Sequence, residues 1–321
     1  MIKVALLTSG GDAPGMNTVI YYLSKYSLIK NIKLYGVRNG FDGLIKNEIF
    51  ELDPNSVATI ANKGGSILYS SRSQNFRDKK NRIKAAKNLK KFGINYLIIL
   101  GGNGSFKGAY LLNKEHDVKV ICIPATIDND INHVHYSLGF DTALNNILEA
   151  VAKIDDTATS HGNTFIVEVM GKYSGNLAFN AFIAGAGHAL VIPEYSHKID
   201  DILEIIDNRK RKNLFHNIIL FSEGVGSPKT LAKELSEKLK IIPKIVTLGH
   251  IQRGGAPTAF ERIMAEKFAF NTLKLIENSK SNLVINLLIN KVSFLPLAHV
   301  WSKDTKISEK EYENLISLAK I

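Results

Sequence analysis

The run Thr126-Ile127-Asp128-Asn129-Asp130 places two carboxylates just after the apolar stretch Val120-Ile121-Cys122-Ile123. An aspartate at a strand end can accept the proton of a substrate hydroxyl, while its neighbour holds a divalent ion or orients the first. The plainer use of such residues is an Asx turn or a helix cap. Two aspartates with a threonine two residues before the first exceed what a cap needs, so the run is read as chemistry. Two glycine loops follow other apolar runs: Ser9-Gly10-Gly11-Asp12-Ala13-Pro14-Gly15 and Gly101-Gly102-Asn103-Gly104-Ser105. Without side chains, backbone N–H groups come close to an anion, and the start of the following helix adds a favourable dipole. Neither loop ends in the Gly-Lys-Ser/Thr of a P-loop, and neither carries the dinucleotide fingerprint. Tight turns without a ligand are the alternative.

His250-Ile251-Gln252-Arg253-Gly254-Gly255 sets an imidazole and a guanidinium beside paired glycines. Arginine forks onto phosphate and glycine lets a ligand approach, although a lone arginine is more often a surface ion pair. Arg72 and Arg77, in the polar run Ser70 to Arg77, are either solvated loop charges or flank a polyphosphate. Glu223 binds sugar hydroxyls or caps a helix. Glycine loops, basic residues and paired aspartates together describe phosphoryl transfer from a nucleotide to a hydroxyl, a reaction driven largely by positioning and charge neutralisation. Hydride transfer would want the dinucleotide fingerprint and Ser-His-Asp hydrolysis a nucleophile elbow; both are missing.

The elements that must hold these residues follow a repeated strand, loop, helix grammar. Val4–Thr8, Tyr96–Leu100, Val120–Ile123, Phe165–Val169 and Ile218–Phe221 are short apolar runs, each ending in an unusual loop. Runs without alternation suit strands covered on both faces, hence parallel sheets. Leu144, Ile147, Leu148 and Val151, and again Leu231, Leu235 and Leu239, fall at helical spacing. The fold class is therefore α/β with mainly parallel sheets, and the likeness of the two halves suggests two lobes facing a cleft. Ligands of such sheets bind beyond the carboxyl ends of the strands, so all five loops are expected on one side. A boundary near 135–140 is marked only weakly.

At 321 residues and 45% hydrophobic the chain suits about two folded domains rather than disorder. Its apolar runs fall far short of the ~20 residues that cross a bilayer. Residues 1–10 read as a buried strand rather than a secretion signal. One cysteine, Cys122, excludes an internal disulfide framework and a cysteine-based zinc site, which fits a reducing cytoplasm. The net charge of +11 favours anionic partners, phosphorylated metabolites or nucleic acid, without choosing between them. No nucleic-acid readout motif accompanies it.

Thr8 to Asn17, Gly101 to Ser105, Pro124 to Asp130, Met170-Gly171 and His250 to Gly255 resemble, in order and at matching spacing, the bacterial 6-phosphofructokinases. The resemblance covers nearly the whole chain and implies an α/β fold of two Rossmann-like three-layer lobes with mainly parallel sheets and a cleft between them. It implies a cytoplasmic homotetramer that uses ATP as co-substrate and Mg2+ to phosphorylate fructose 6-phosphate to the 1,6-bisphosphate, with no nucleic-acid or membrane partner. The implied layout is a larger ATP-binding lobe of residues 1–138 and 251–304 and a smaller sugar-phosphate lobe of 139–250 and 305–321. Asp128 is then the base for the 1-hydroxyl, with Thr126, Asp130 and Lys172 as its catalytic companions. Gly11, Arg72, Ser73, Gly102, Asn103, Gly104 and Ser105 meet ATP. Thr126, Asp128, Asn163, Met170, Gly171, Lys172, Glu223, Lys244, His250 and Arg253 meet the sugar phosphate. Pyrophosphate-using members carry Asp for Gly104 and Lys for Ala125, so the small residues here imply ATP.

Four positions depart from the family pattern. Asn103 replaces a magnesium-binding aspartate, which weakens the metal site, and Lys172 replaces an arginine, losing its fork. Asn163 and Lys244 stand where two arginines reach the sugar phosphate of a neighbouring subunit. These four departures support an alternative, a divergent paralogue with little kinase activity serving as a regulatory subunit of a hetero-oligomer. Effector positions are altered too: arginines of allosteric members read Tyr21, Lys25 and Asp155, and an acidic one reads His188. Weak allosteric control is expected.

Overall fold

A computed structural model describes residues 1–289, 291–300 and 307–321. The chain begins β1 (Ile2–Thr8), α1 (Met16–Ile29), β2 (Ile32–Val37), α2 (Gly40–Lys46), β3 (Ile49–Glu51), α3 (Lys79–Phe92), β4 (Tyr96–Gly101), α4 (Asn103–His116) and β5 (Val120–Pro124). It continues through α5 (Phe140–His161), β6 (Thr164–Val169), α6 (Asn176–Ile183), β7 (Ala189–Val191), α7 (Ile199–Arg211), β8 (Asn217–Ser222), α8 (Pro228–Leu239) and β9 (Lys244–Thr247). It ends with α9 (Ala259–Glu277), β10 (Leu283–Leu288), β11 (Lys291–Pro296) and α10 (Glu309–Ala319). The fold is α/β, and the chain divides into two compact units. One is Met1–Thr142 with the stretch that begins at Arg253; the other is Ala143–Gln252 with α10. The further crossing expected at 304–305 lies outside the described residues.

In the first unit a sheet runs β11-β10-β5-β4-β1-β2-β3, parallel except for β3 and β11 at its edges. Tyr96 to Gly101 in β4 are all buried, because helices cover both faces and a strand so placed needs no polar side. Alternate residues of neighbouring strands, Leu7, Leu97, Ile99 and Cys122, pack with Phe41 and Leu44 of α2, Leu89 of α3 and Phe106 and Leu112 of α4. Each such side chain, fully buried, contributes roughly 1.5–3 kcal/mol. The register Thr8↔Leu100 and Gly101↔Pro124 makes β1, β4 and β5 end together. Their loops must therefore lie side by side.

The second unit has a four-stranded parallel sheet, β7-β8-β6-β9. Ile166, Val191 and Phe221 pack against Ile202 and Ile205 of α7 and Leu231 and Leu235 of α8. Val169 pairs with Ser222, so the loops after β6 and β8 are neighbours. The five unusual loops thus divide three and two over the two sheets. The strands without an apolar run, such as exposed β9 and β11, sit at edges where little burial marks them.

Candidate active site

The first glycine loop uses its leading N–H groups within the protein. Ser9 N–H donates to the Leu100 carbonyl at 2.9 Å and Gly10 N–H to the Ser71 carbonyl at 3.0 Å, so both donors are used in holding strands and loop together. Ser105 is buried, and its hydroxyl donates to the Ser9 carbonyl at 3.1 Å. It straps the first loop to the second. A side chain at Gly101 would meet Ser105 Oγ at 2.5 Å and the Ser9 carbonyl at 2.6 Å, which is why that position must be glycine. Gly104, in the first turn of α4, has nothing within 4 Å of a built Cβ. Space is open there.

Beside this loop, by the Gly101↔Pro124 register, stands the aspartate run. A Cβ on Gly102 would touch Thr126 Cβ at 3.4 Å, an ordinary contact between the two loops. Thr126 Oγ1 accepts the Asp128 N–H at 3.3 Å, and Asn103 Nδ2 donates to the Asp130 carbonyl at 3.3 Å. Asp128 and Asp130 are half-buried and flank Asn129, which is buried with φ of 46°. Asparagine is among the few non-glycine residues that accept this left-handed conformation.

Arg72 and Arg77 are exposed. The Ser71 carbonyl on Gly10 brings Arg72 next to the first loop, whereas Ser73, expected on ATP, donates to Asp42 Oδ1 at 2.5 Å and accepts the Phe76 N–H. Ser73 shapes the turn. Arg253 lies over Gly11: its Nη1 donates to the Asp12 carbonyl at 3.0 Å and stands 2.6 Å from where a Cβ of Gly11 would be. A residue expected on the sugar phosphate and one expected on ATP therefore touch.

In the second unit, Met170 and Gly171 follow β6. Gly171 has φ of 134°, and a Cβ there would strike the Ser174 carbonyl at 2.3 Å. Its N–H donates to Glu223 Oε1 at 3.3 Å, and its carbonyl accepts the Ser222 hydroxyl at 3.0 Å. Glu223 therefore orders the Met170-Gly171 turn as well as offering a carboxylate at the exposed end of β8. Lys172 is exposed, with Nζ 5.3 Å from the Tyr173 ring centroid. His250 is exposed in the turn Gly249–Arg253. Asn163 precedes β6 and Lys244 opens β9, pairing with Phe165. Both are at the amino ends of the strands, about 20 Å along β6 from Met170 at ~3.3 Å per residue. They cannot reach the same ligand as Glu223.

The sequence did not reveal the groups that hold these loops. Gln252 is fully buried and its Oε1 accepts the Met170 N–H at 3.1 Å. Glu261, fully buried, accepts from Gly139 N–H at 2.6 Å and from the Thr142 hydroxyl at 2.5 Å. Burial raises its carboxyl to about 7, with nearby Asp141 adding to the rise, against the hydrogen bonds from Thr142 and Gly139. Polar residues that close a loop from distant sequence carry no local signature. No helix among the described residues is long and apolar enough to cross a membrane.

A family model described as Phosphofructokinase matches residues 3–276. A Fusobacterium nucleatum protein named ATP-dependent 6-phosphofructokinase is 42% identical over 319 residues, 99% of this chain and 99% of its own. A Clostridium botulinum protein of the same name is 40% identical over 320 residues, the full length of both. The solved phosphofructokinase of Saccharomyces cerevisiae superposes with a TM-score of 0.92 at 27% identity, covering 100% of this chain and 50% of the yeast chain.

Proposed function

The chain belongs to the phosphofructokinase family, and from that membership we propose that it moves the γ-phosphoryl group of ATP to the 1-hydroxyl of fructose 6-phosphate. The observation that carries this reading is the common ending of β1, β4 and β5, which sets the aspartate run beside the glycine loop of α4. In the transfer the 1-oxygen bonds to the γ-phosphorus and the bond from that phosphorus to the bridging oxygen of ADP breaks. The hydroxyl proton passes to the Asp128 carboxylate. Thr126 steadies the Asp128 backbone, and the start of α4 offers its dipole to the phosphates. Arg72, Gly11 and the Gly102–Ser105 loop take the nucleotide, with Ser73 and Ser105 acting through the loops they tie. Met170, Gly171, Lys172, Glu223, His250 and Arg253 take the sugar phosphate.

Open space at Gly104 and the small Ala125 suit ATP as donor. Magnesium fits the donors beside Asp128, which are oxygens only: the Asp130 carboxylate and the Asn103 amide oxygen. When bound, it neutralises phosphate charge. Because the Asn103 amide nitrogen is engaged on Asp130, the amide contributes one neutral oxygen, and a weak magnesium site follows. Asn163 and Lys244, at the amino ends of β6 and β9, serve the sugar phosphate of another copy, which requires an oligomer; a cytoplasmic homotetramer is proposed. Weak effector control follows from the carboxylate of Asp155 and from Lys25, which lies over the Tyr21 ring at 5.7 Å.

The test is a coupled assay with ATP, fructose 6-phosphate and magnesium. Asp128→Asn should lower kcat by about 10²–10⁴-fold. Full turnover in that variant would end the assignment. Asn103→Asp should lower the magnesium needed for half-maximal rate. If it instead created turnover where the native chain has none, the regulatory-subunit role would replace the catalytic one.

A further inference from the structure

Between Asp128 and Asp130 the chain turns at Asn129, and the side chain of that residue is used up internally. Its Oδ1 accepts the Ser137 N–H at 3.0 Å and its Nδ2 donates to the His135 carbonyl at 3.0 Å. Ser137, fully buried, sends its hydroxyl back to the Thr126 carbonyl at 2.5 Å. The far arm is fixed as well: the His135 N–H donates to Asn286 Oδ1 of β10 at 2.9 Å, and Leu138 N–H donates to the Pro124 carbonyl at 3.0 Å. Backbone, amide and hydroxyl thus close a ring from Thr126 to Ser137 around Asp128. Buried networks of this kind hold one geometry when every member is paired.

We propose that Asn129 and Ser137 are positioning residues that fix the Asp128 carboxylate for proton abstraction. The proposal rests on the reading of Asp128 as the base. Asn129 does two things at once. It accepts the left-handed turn that places the two aspartates on either side of it, and its carboxamide measures the distance to the returning arm. Ser137 ties that arm to the carbonyl of Thr126, the residue whose hydroxyl holds the Asp128 N–H. Both side chains are spent on these internal bonds, so their loss should be felt in the chemical step. A displacement of about 1 Å in a catalytic group costs on the order of 10²-fold in rate.

Ser137→Ala and Asn129→Gly remove the two clasps. Glycine is chosen because it adopts the left-handed turn without strain, so the carboxamide is removed while the turn stays accessible. Each variant should lower kcat by roughly 10–100-fold. KM for ATP and for fructose 6-phosphate should stay within about twofold, as expected when only the transition state is affected. In an Asp128→Asn background, where no base remains to be aimed, Ser137→Ala should change the residual rate less than about twofold. A kcat unchanged in both single variants, or an equal loss in the Asp128→Asn background, overturns the positioning role. Full turnover in Asp128→Asn alone would instead overturn the assignment of the base, so the two failures are distinct.

Discussion

Gly11→Ala isolates what one methyl group does through a neighbour. The added Cβ would stand 2.6 Å from Arg253 Nη1, 3.2 Å from its Cζ and 3.4 Å from its Nη2. Carbon and nitrogen in ordinary contact are about 3.5 Å apart, so the guanidinium must retreat by about 1 Å. The Nη1 bond to the Asp12 carbonyl, now 3.0 Å, would then be lost. That bond is exposed, and its contribution to stability, after discounting for solvent, is about 1 kcal/mol or less. Because the obstructing group is the tip of a flexible side chain, the fold yields there and the melting temperature should fall by no more than about 3 °C. The effect on function is larger if Arg253 holds the sugar phosphate: kcat/KM for fructose 6-phosphate should drop about 10–100-fold, equivalent to about 1.4–2.8 kcal/mol. The decisive assay is the double-mutant cycle. With Arg253→Ala already present and ATP saturating, Gly11→Ala should change kcat/KM for fructose 6-phosphate less than about twofold, since the displaced group is gone. An equal loss in both backgrounds would refute the idea that Gly11 acts through Arg253.

Two other changes test the same unit. Glu261 has its folded value raised to about 7, so the protonated form is favoured by folding and its contribution is full below the ordinary value near 4.5. Stability should therefore fall by about 2–3 kcal/mol as pH rises from 4.5 through 7, and Glu261→Gln should remove that component. His188, lowered to about 3 by burial, Arg209 and His216, acts in the opposite sense as pH falls below 6.5. The difference between native and variant melting curves cancels it, and parallel curves across pH 4.5–8 would refute the Glu261 argument. Gly104→Asp places a carboxylate in the first turn of α4, where a built Cβ meets nothing within 4 Å. Melting should be unchanged or slightly raised, since leaving glycine and adding a first-turn carboxylate are each worth about 0.3–1 kcal/mol. KM for ATP should nevertheless rise at least about tenfold through repulsion of the phosphates; an unchanged KM would remove Gly104 from the nucleotide site.

The sequence by itself determined the α/β class, because buried parallel strands such as β4 are continuous apolar runs and their helices repeat at 3.6 residues. It also determined the family, because Asp128, the glycine loops and Arg253 sit in contiguous motifs at fixed spacing. What it could not state was which polar residues hold the loops together. Ser73 and Ser105 lie within the motifs yet tie loops, through Asp42 and the Ser9 carbonyl. Asn129, Ser137, Gln252 and Glu261 hold the loops in place from the core, over separations of up to 122 residues. Only the tertiary structure decided these roles, for a physical reason. A hydrogen bond depends on distance and angle in space, and the register of neighbouring strands, set by burial along their whole length, decides which distant residues come within 3 Å.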